Sequence, residues 1–151
     1  MQSMCPARRL ARWVTQAGHD AYWYYWTYPP KDPVTGDSVP AAHCAELKFL
    51  WGLRCNATWT AGKPWAVEQC QFGLQFASFW QGFAATATSS GGPIAWPSYG
   101  EGGLVQDGGN SLLVDNSMRF EAVKHLRQSR CDFWDDYFES HQVRSHARQV
   151  H

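Results

Sequence analysis

The stretch Ala42-His43-Cys44-Ala45-Glu46 gathers an imidazole, a thiol and a carboxylate within a few residues. Histidine has its ordinary proton affinity near neutrality, so His43 is a candidate general base; the plain alternative is a surface or capping histidine. Base catalysis also needs a nucleophile to activate and a third group to hold the imidazole tautomer. No Gly-x-Ser-x-Gly elbow occurs in the sequence, and the serines fall in expected loops or helices rather than at a sharp strand-to-helix turn. Cys44 is a conceivable thiol nucleophile beside His43, although neighbouring residues ordinarily point their side chains apart. Cys131, His141 and His146 are of metal-binding type. They lack the close cysteine pair of structural zinc modules and a fourth ligand, so neither a metal nor any other cofactor is expected.

The element that must position His43 is the aromatic run from Tyr22 to Tyr28, closed by Pro29-Pro30. Aromatic residues favour strands, and the double proline stops this one abruptly. Because the run does not alternate with polar residues, both of its faces are expected to be covered, as in the interior of a mostly parallel sheet. Before it, Pro6 to Gly18 reads as a helix. Pro6 suits the first helical position, Leu10, Trp13, Val14 and Ala17 form an apolar stripe, and Gly18 suits a left-handed cap. Helix, glycine and buried strand make half of an α/β crossover unit. In such sheets reactive side chains collect beyond the carboxyl ends of the strands, where the loop from Lys31 to Cys44 begins.

Downstream, Ala45 to Trp51 is expected to make one or two helical turns ending at Gly52, and Leu53 to Val67 an irregular insert. Phe72, Phe76, Phe79 and Phe83 recur at helical spacing between Ala66 and Thr86. Such a stripe is a packing face far more often than a cofactor box. Residues 88–93 read as a flexible break and Trp96-Pro97-Ser98-Tyr99 as a rigid turn. Gly100 to Gly109 lacks the lysine and hydroxyl pair of a phosphate loop. Leu112-Leu113-Val114 is expected to be a short edge strand. A last helix is expected from Phe120 or Glu121 to about Ser140, with Val123, Leu126, Cys131, Trp134 and Phe138 near one face. Residues 142–151 are expected to fray. The fold class is therefore α/β: an incomplete, mostly parallel sheet with flanking helices.

The chain has 151 residues, 44% of them hydrophobic, with 13 basic and 13 acidic side chains giving zero formal charge. That is enough for the core of one domain, and it leaves no field or basic run to attract nucleic acid. No stretch is long and apolar enough to span a bilayer, and Met1 to Pro6 lacks the pattern of a signal peptide. Five cysteines and the glycosylation sequon Asn56-Ala57-Thr58 nevertheless suit an oxidising compartment. Either these are chance features of a cytosolic chain, or the chain is the rear portion of a secreted protein whose leader lies upstream. Nine tryptophans and six tyrosines also admit an aromatic-rich ligand-binding module.

The sequence resembles the carboxyl-terminal part of the carboxylesterase and cholinesterase family, the type B branch of the α/β-hydrolases. The resemblance rests on an ordered series: Cys5-Pro6-Ala7-Arg8, Gly18, and the aromatic strand through Tyr28-Pro29-Pro30. It continues with Ala41 to Phe49 with Gly52, Phe79-Trp80-Gln81-Gly82-Phe83-Ala84, Pro93, Trp96-Pro97-Ser98-Tyr99, and Cys131-Asp132-Phe133-Trp134-Asp135. The series covers nearly the whole chain. It implies that residues 1–141 are the carboxyl-terminal portion of an esterase domain.

By the same resemblance, His43 falls on the catalytic histidine and Glu46 on a supporting acid distinct from the triad acid. The nucleophilic serine, the glycine-rich oxyanion loop and the triad acid lie in the part of the family that precedes this region. A parent so built acts on a small carboxylic ester and is secreted; the chain alone is expected to be inactive, needing that preceding part to complete its fold. An esterase-like interaction protein without turnover is the other outcome. One departure stands out: the family commonly has glycine after the histidine, and here Cys44 places a side chain in the turn that aims the imidazole. The resemblance also pairs Cys5 with Cys131. The family supplies no partner for Cys55 and Cys70, which bracket a short segment and are candidates for a second bridge, leaving Cys44 free.

Overall fold

The computed structural model describes residues 4–30, 35, 37–52, 55 and 66–147, with side chains described only as far as residue 141. The elements in order are α1 (Met4–Gln16), β1 (Tyr24–Trp26), α2 (Leu47–Leu50), α3 (Val67–Thr86), a short 3-10 turn (Glu101–Gly103), β2 (Asn110–Val114), β3 (Phe120–Lys124) and α4 (Gln128–Ala147). The strands form one small mixed sheet in the order β1-β2-β3, compatible with part of an α/β fold. β1 runs parallel to β2, with Tyr24 opposite Leu112 and Trp26 opposite Val114. The chain divides into two compact units, one of residues 1–23, 98–111 and 123–151, the other of residues 24–97 and 112–122.

The second of these units is built on aromatic packing. Alternate residues Tyr24, Trp26 and Tyr28 contact rings from α2 and α3, as a period of two requires. Trp26 lies 5.1 Å from Phe49 and 5.1 Å from Phe76, while Phe120 of β3 stacks on Phe72 at 5.0 Å. Phe49, Phe76 and Phe79 are wholly buried. The phenylalanine stripe is thus a packing face, except that Phe83 at its end is exposed. Gly73 lets α2 come close: a Cβ there would sit 3.0 Å from the Phe49 carbonyl oxygen.

In the unit containing the chain start, α1 and α4 are joined by the Cys5–Cys131 disulfide and by charged side chains. Arg8 donates to Asp132 at 2.7 Å and to Asp135 at 2.8 Å; Arg9 Nε donates to the other Asp135 oxygen at 2.8 Å. Burial alone would lower the proton affinity of Arg8, but its bonds to Asp132 and Asp135 and their charges raise it above the ordinary value. The Asn110 side-chain amide, at the start of β2, donates to the Ser98 and Glu101 carbonyls.

Several expectations are corrected. The strand occupies only Tyr24–Trp26 and is half-buried, standing at the sheet edge among the described residues; it is β2 that occupies the middle. On α1 the expected apolar stripe faces outward, Leu10 and Trp13 being 59% and 50% exposed, while Arg8 and Arg9 are buried. Ion pairing outweighs hydropathy there because each buried guanidinium has its carboxylate. Residues 120–124 form β3 rather than the start of a helix. Asp115 accepts bonds from the Ser117 and Arg119 amides, which folds a hairpin turn just before them. Val123 and Leu126 therefore precede α4, Cys131 is buried on it, and Trp134 and Phe138 are substantially exposed. The α4 backbone continues to Ala147, past the expected end near Ser140.

Candidate functional site

His43 lies in the turn that leads into α2, within the aromatic unit. Two backbone bonds define the turn, Ala45 N–H to the Ala42 carbonyl at 3.1 Å and Leu47 N–H to the Cys44 carbonyl at 3.3 Å. Cys44 has φ of +65°, in the left-handed region that glycine adopts freely and other residues enter at a cost. The sequence places a β-carbon where the turn favours none. Ala45 is buried, and Phe49 one turn later is sealed among Trp26, Tyr28 and Phe72. The turn is thus anchored on its inner side, and His43 and Cys44 project outward, both exposed.

The left-handed residue brings the two side chains together: Cys44 Sγ lies 2.7 Å from His43 Nδ1. Sequence adjacency suggested that they point apart, and the sign of one φ angle reverses that. Glu46 is the residue preceding α2, but its carboxylate makes no cap bond to the helix. It accepts instead from the Tyr24 hydroxyl on β1 at 3.3 Å. Burial, then the charge of Glu46 and its hydrogen bond, and finally Cys44, push the Tyr24 phenol up to about 12. Tyr24 was not singled out from the sequence; strand alternation, which puts Tyr24, Trp26 and Tyr28 on one face, was the signal available.

Cys5 is bonded to Cys131 and Cys55 to Cys70, leaving Cys44 as the free thiol. With Cys131 in a disulfide, the set Cys131, His141 and His146 has no thiolate to offer a metal. Among the described residues no group of three or more histidine, cysteine or acidic side chains is placed to hold a metal ion. No described helix is long and apolar enough to cross a membrane. Asn56, the expected glycan acceptor, lies outside the described residues, as does most of the insert around it. Chemically, the turn offers a solvent-facing imidazole with a thiol on one ring nitrogen, and, three residues on, a carboxylate that accepts from the Tyr24 hydroxyl of the strand.

No protein-family profile matches the chain. Over 143 residues it is 22% identical to acetylcholinesterase 1 of Caenorhabditis elegans, an alignment covering 88% of this chain and 22% of that protein. The chain therefore spans about a fifth of the length of the curated relative it matches. The similarity is weak but extends along most of the chain, and it points to a cholinesterase-like region.

Proposed function

We propose that residues 1–141 are the carboxyl-terminal portion of a type B carboxylesterase domain of the α/β-hydrolase fold. On this reading the parent protein hydrolyses a small carboxylic ester through an acyl-enzyme. His43 is its proton carrier: it takes the proton of the attacking serine and returns it to the leaving alcohol. Glu46 is a supporting acid. The serine, the oxyanion donors and the triad acid are contributed by sequence outside these residues. Without them the imidazole has nothing to activate and no donors to stabilise the oxyanion, so the chain by itself does not turn over ester.

The observation that carries the reading is the alignment with acetylcholinesterase 1 along most of this chain. The two disulfides fit a protein exported to an oxidising compartment, and on that route Asn56 is a glycan acceptor. The test is a nitrophenyl ester assay on two proteins: the 151-residue chain, and the product of the gene read upstream of Met1. The longer product hydrolyses the ester and loses the activity on His43→Ala, while the chain shows none. Hydrolysis by the purified chain that His43→Ala abolishes would sink the proposal. So would an upstream sequence without a serine elbow.

One observation favours a second reading, an esterase-like protein without turnover. A triad histidine uses one ring nitrogen toward the serine and the other, Nδ1, toward the acid. Here Nδ1 is met by the Cys44 thiol. Under this reading the longer product contains the serine elbow yet releases no nitrophenol.

A further inference from the structure

We propose that Tyr24 is a positioning residue for the turn that carries His43, acting through Glu46. The inference rests on the reading of His43 as a proton carrier, and adds to it a residue on a different element that fixes where the imidazole stands.

An acidic residue before a helix can accept from the first free amides, yet Glu46 makes no such bond. Its carboxylate spans 22 residues of sequence separation to accept from the Tyr24 hydroxyl. The Tyr24 end of that bond is well fixed. Tyr24 is in register with Leu112 of β2, and its ring lies edge-on to Trp80 at 5.2 Å, Phe76 at 5.8 Å and Trp96 at 6.2 Å. A ring so enclosed has little freedom, and its hydroxyl is a fixed donor rather than a mobile one.

The other end of α2 is fixed too, by the buried ring of Phe49. The four-residue helix is therefore held at both ends, by a packed ring at one and a hydrogen bond at the other. His43 stands just before the bonded end, in a turn with only two backbone bonds of its own. Severing the Tyr24–Glu46 bond leaves Phe49 packed and releases the turn. The phenol is suited to the task because it stays protonated, and thus a donor, throughout the neutral range.

The experiment uses the 151-residue chain labelled with nitrogen-15 and follows amide hydrogen exchange at Ala45 and Leu47. Tyr24→Phe keeps the ring and removes the donor; Glu46→Ala removes the acceptor; Glu46→Gln keeps an acceptor oxygen and removes the charge. Exchange at both amides rises roughly tenfold in Tyr24→Phe and Glu46→Ala, while α3 amides stay at the wild-type rate. Glu46→Gln restores slow exchange. Its phenol, read by absorbance, ionises at lower pH than in the wild type. Unchanged exchange in Tyr24→Phe, or equal exchange in the Gln and Ala variants, overturns the proposal. Should Tyr24→Phe fail to fold, the Gln and Ala comparison decides alone. In the longer esterase the same Tyr24→Phe change lowers kcat and leaves KM. If that protein has no esterase activity, the functional reading fails while the exchange results still judge the role of Tyr24.

Discussion

Arg8 and Asp135 meet at 2.8 Å with side chains only 2% and 3% exposed, a closed ion pair between the first and last helices of one unit. The two residues are not equivalent. Asp135 is shared by three guanidinium groups, with Arg9 at 2.8 Å and Arg12 at 3.4 Å in addition to Arg8. Arg8 has a second carboxylate in Asp132.

That asymmetry orders two substitutions. Asp135→Ala strands buried Arg8 and Arg9 without the carboxylate they share, and should cost about 3 to 5 kcal/mol. Arg8→Met leaves Asp135 bonded to Arg9 and Arg12, brings in an apolar side chain of similar length, and should cost clearly less. Urea unfolding of the two variants against wild type gives the comparison. A larger loss in Arg8→Met would show that Asp135 is not the centre of the cluster.

Alkaline titration follows from the Tyr24 phenol, which burial and then Glu46 push up to about 12 from an ordinary value near 10. The folded state holds this proton more tightly than the unfolded state. Its contribution is fully present below about pH 10 and is lost as pH rises toward 12. Tyr99 also titrates late, because its burial outweighs the opposing charges of Arg8 and Arg12. Absorbance titration should therefore show Tyr24 and Tyr99 ionising late, and the Tyr24 component should disappear in Tyr24→Phe. Glu46→Gln should bring that one down. A late alkaline limb left unchanged by both Tyr24→Phe and Glu46→Gln would contradict this.

The hairpin turn supplies an acid counterpart. Burial of Asp115 would raise its pKa, but the Arg119 and Ser117 amides that bond its carboxylate, followed by the Arg119 side chain, hold it below the ordinary value. Its contribution is present above about pH 4 and is lost as pH falls through the depressed folded value. Asp115→Ala should lower stability at neutral pH by about 1 kcal/mol and flatten the acid limb of the stability profile. Asp115→Asn should retain the turn and lose the acid dependence. Equal acid sensitivity in wild type and Asp115→Asn would refute the assignment.

How legible this was depended on whether a feature is local. The phenylalanine stripe of α3 and the turns around α2 followed from periodicity and glycine placement, because a helix face is written at fixed spacing. The face of α1 did not follow. Its buried side is set by Asp132 and Asp135, over a hundred residues away, and hydropathy alone prefers to bury Leu10 and Trp13. From Phe120 the apolar residues near one face predict a helix, whereas the Asx turn at Asp115 and pairing with β2 make residues 120–124 a strand. At the candidate site the position of His43 at a loop end was legible, and its contact with Cys44 was not, since it depends on the sign of one backbone angle.

Cys44 is the residue where that angle can be tested. Its left-handed φ costs a non-glycine residue about 1 to 2 kcal/mol, and glycine removes the cost while losing about 0.5 to 1 kcal/mol of chain entropy. Cys44→Gly should therefore change the melting point little, in the stabilising direction. Cys44→Ala keeps the backbone cost and removes only the thiol. Both variants free His43 Nδ1, so both should move its ring nitrogen resonances in long-range proton–nitrogen spectra and leave those of the other histidines in place. A stability gain confined to Cys44→Gly would trace the strain to the β-carbon, and a nitrogen shift common to both would trace the contact to the sulfur. Under the proposed esterase reading, glycine at this position in the longer protein should raise ester turnover more than alanine does, because only glycine restores both the easy turn and the open nitrogen. Unchanged His43 nitrogen resonances in both variants would mean that the thiol does not engage the ring in solution.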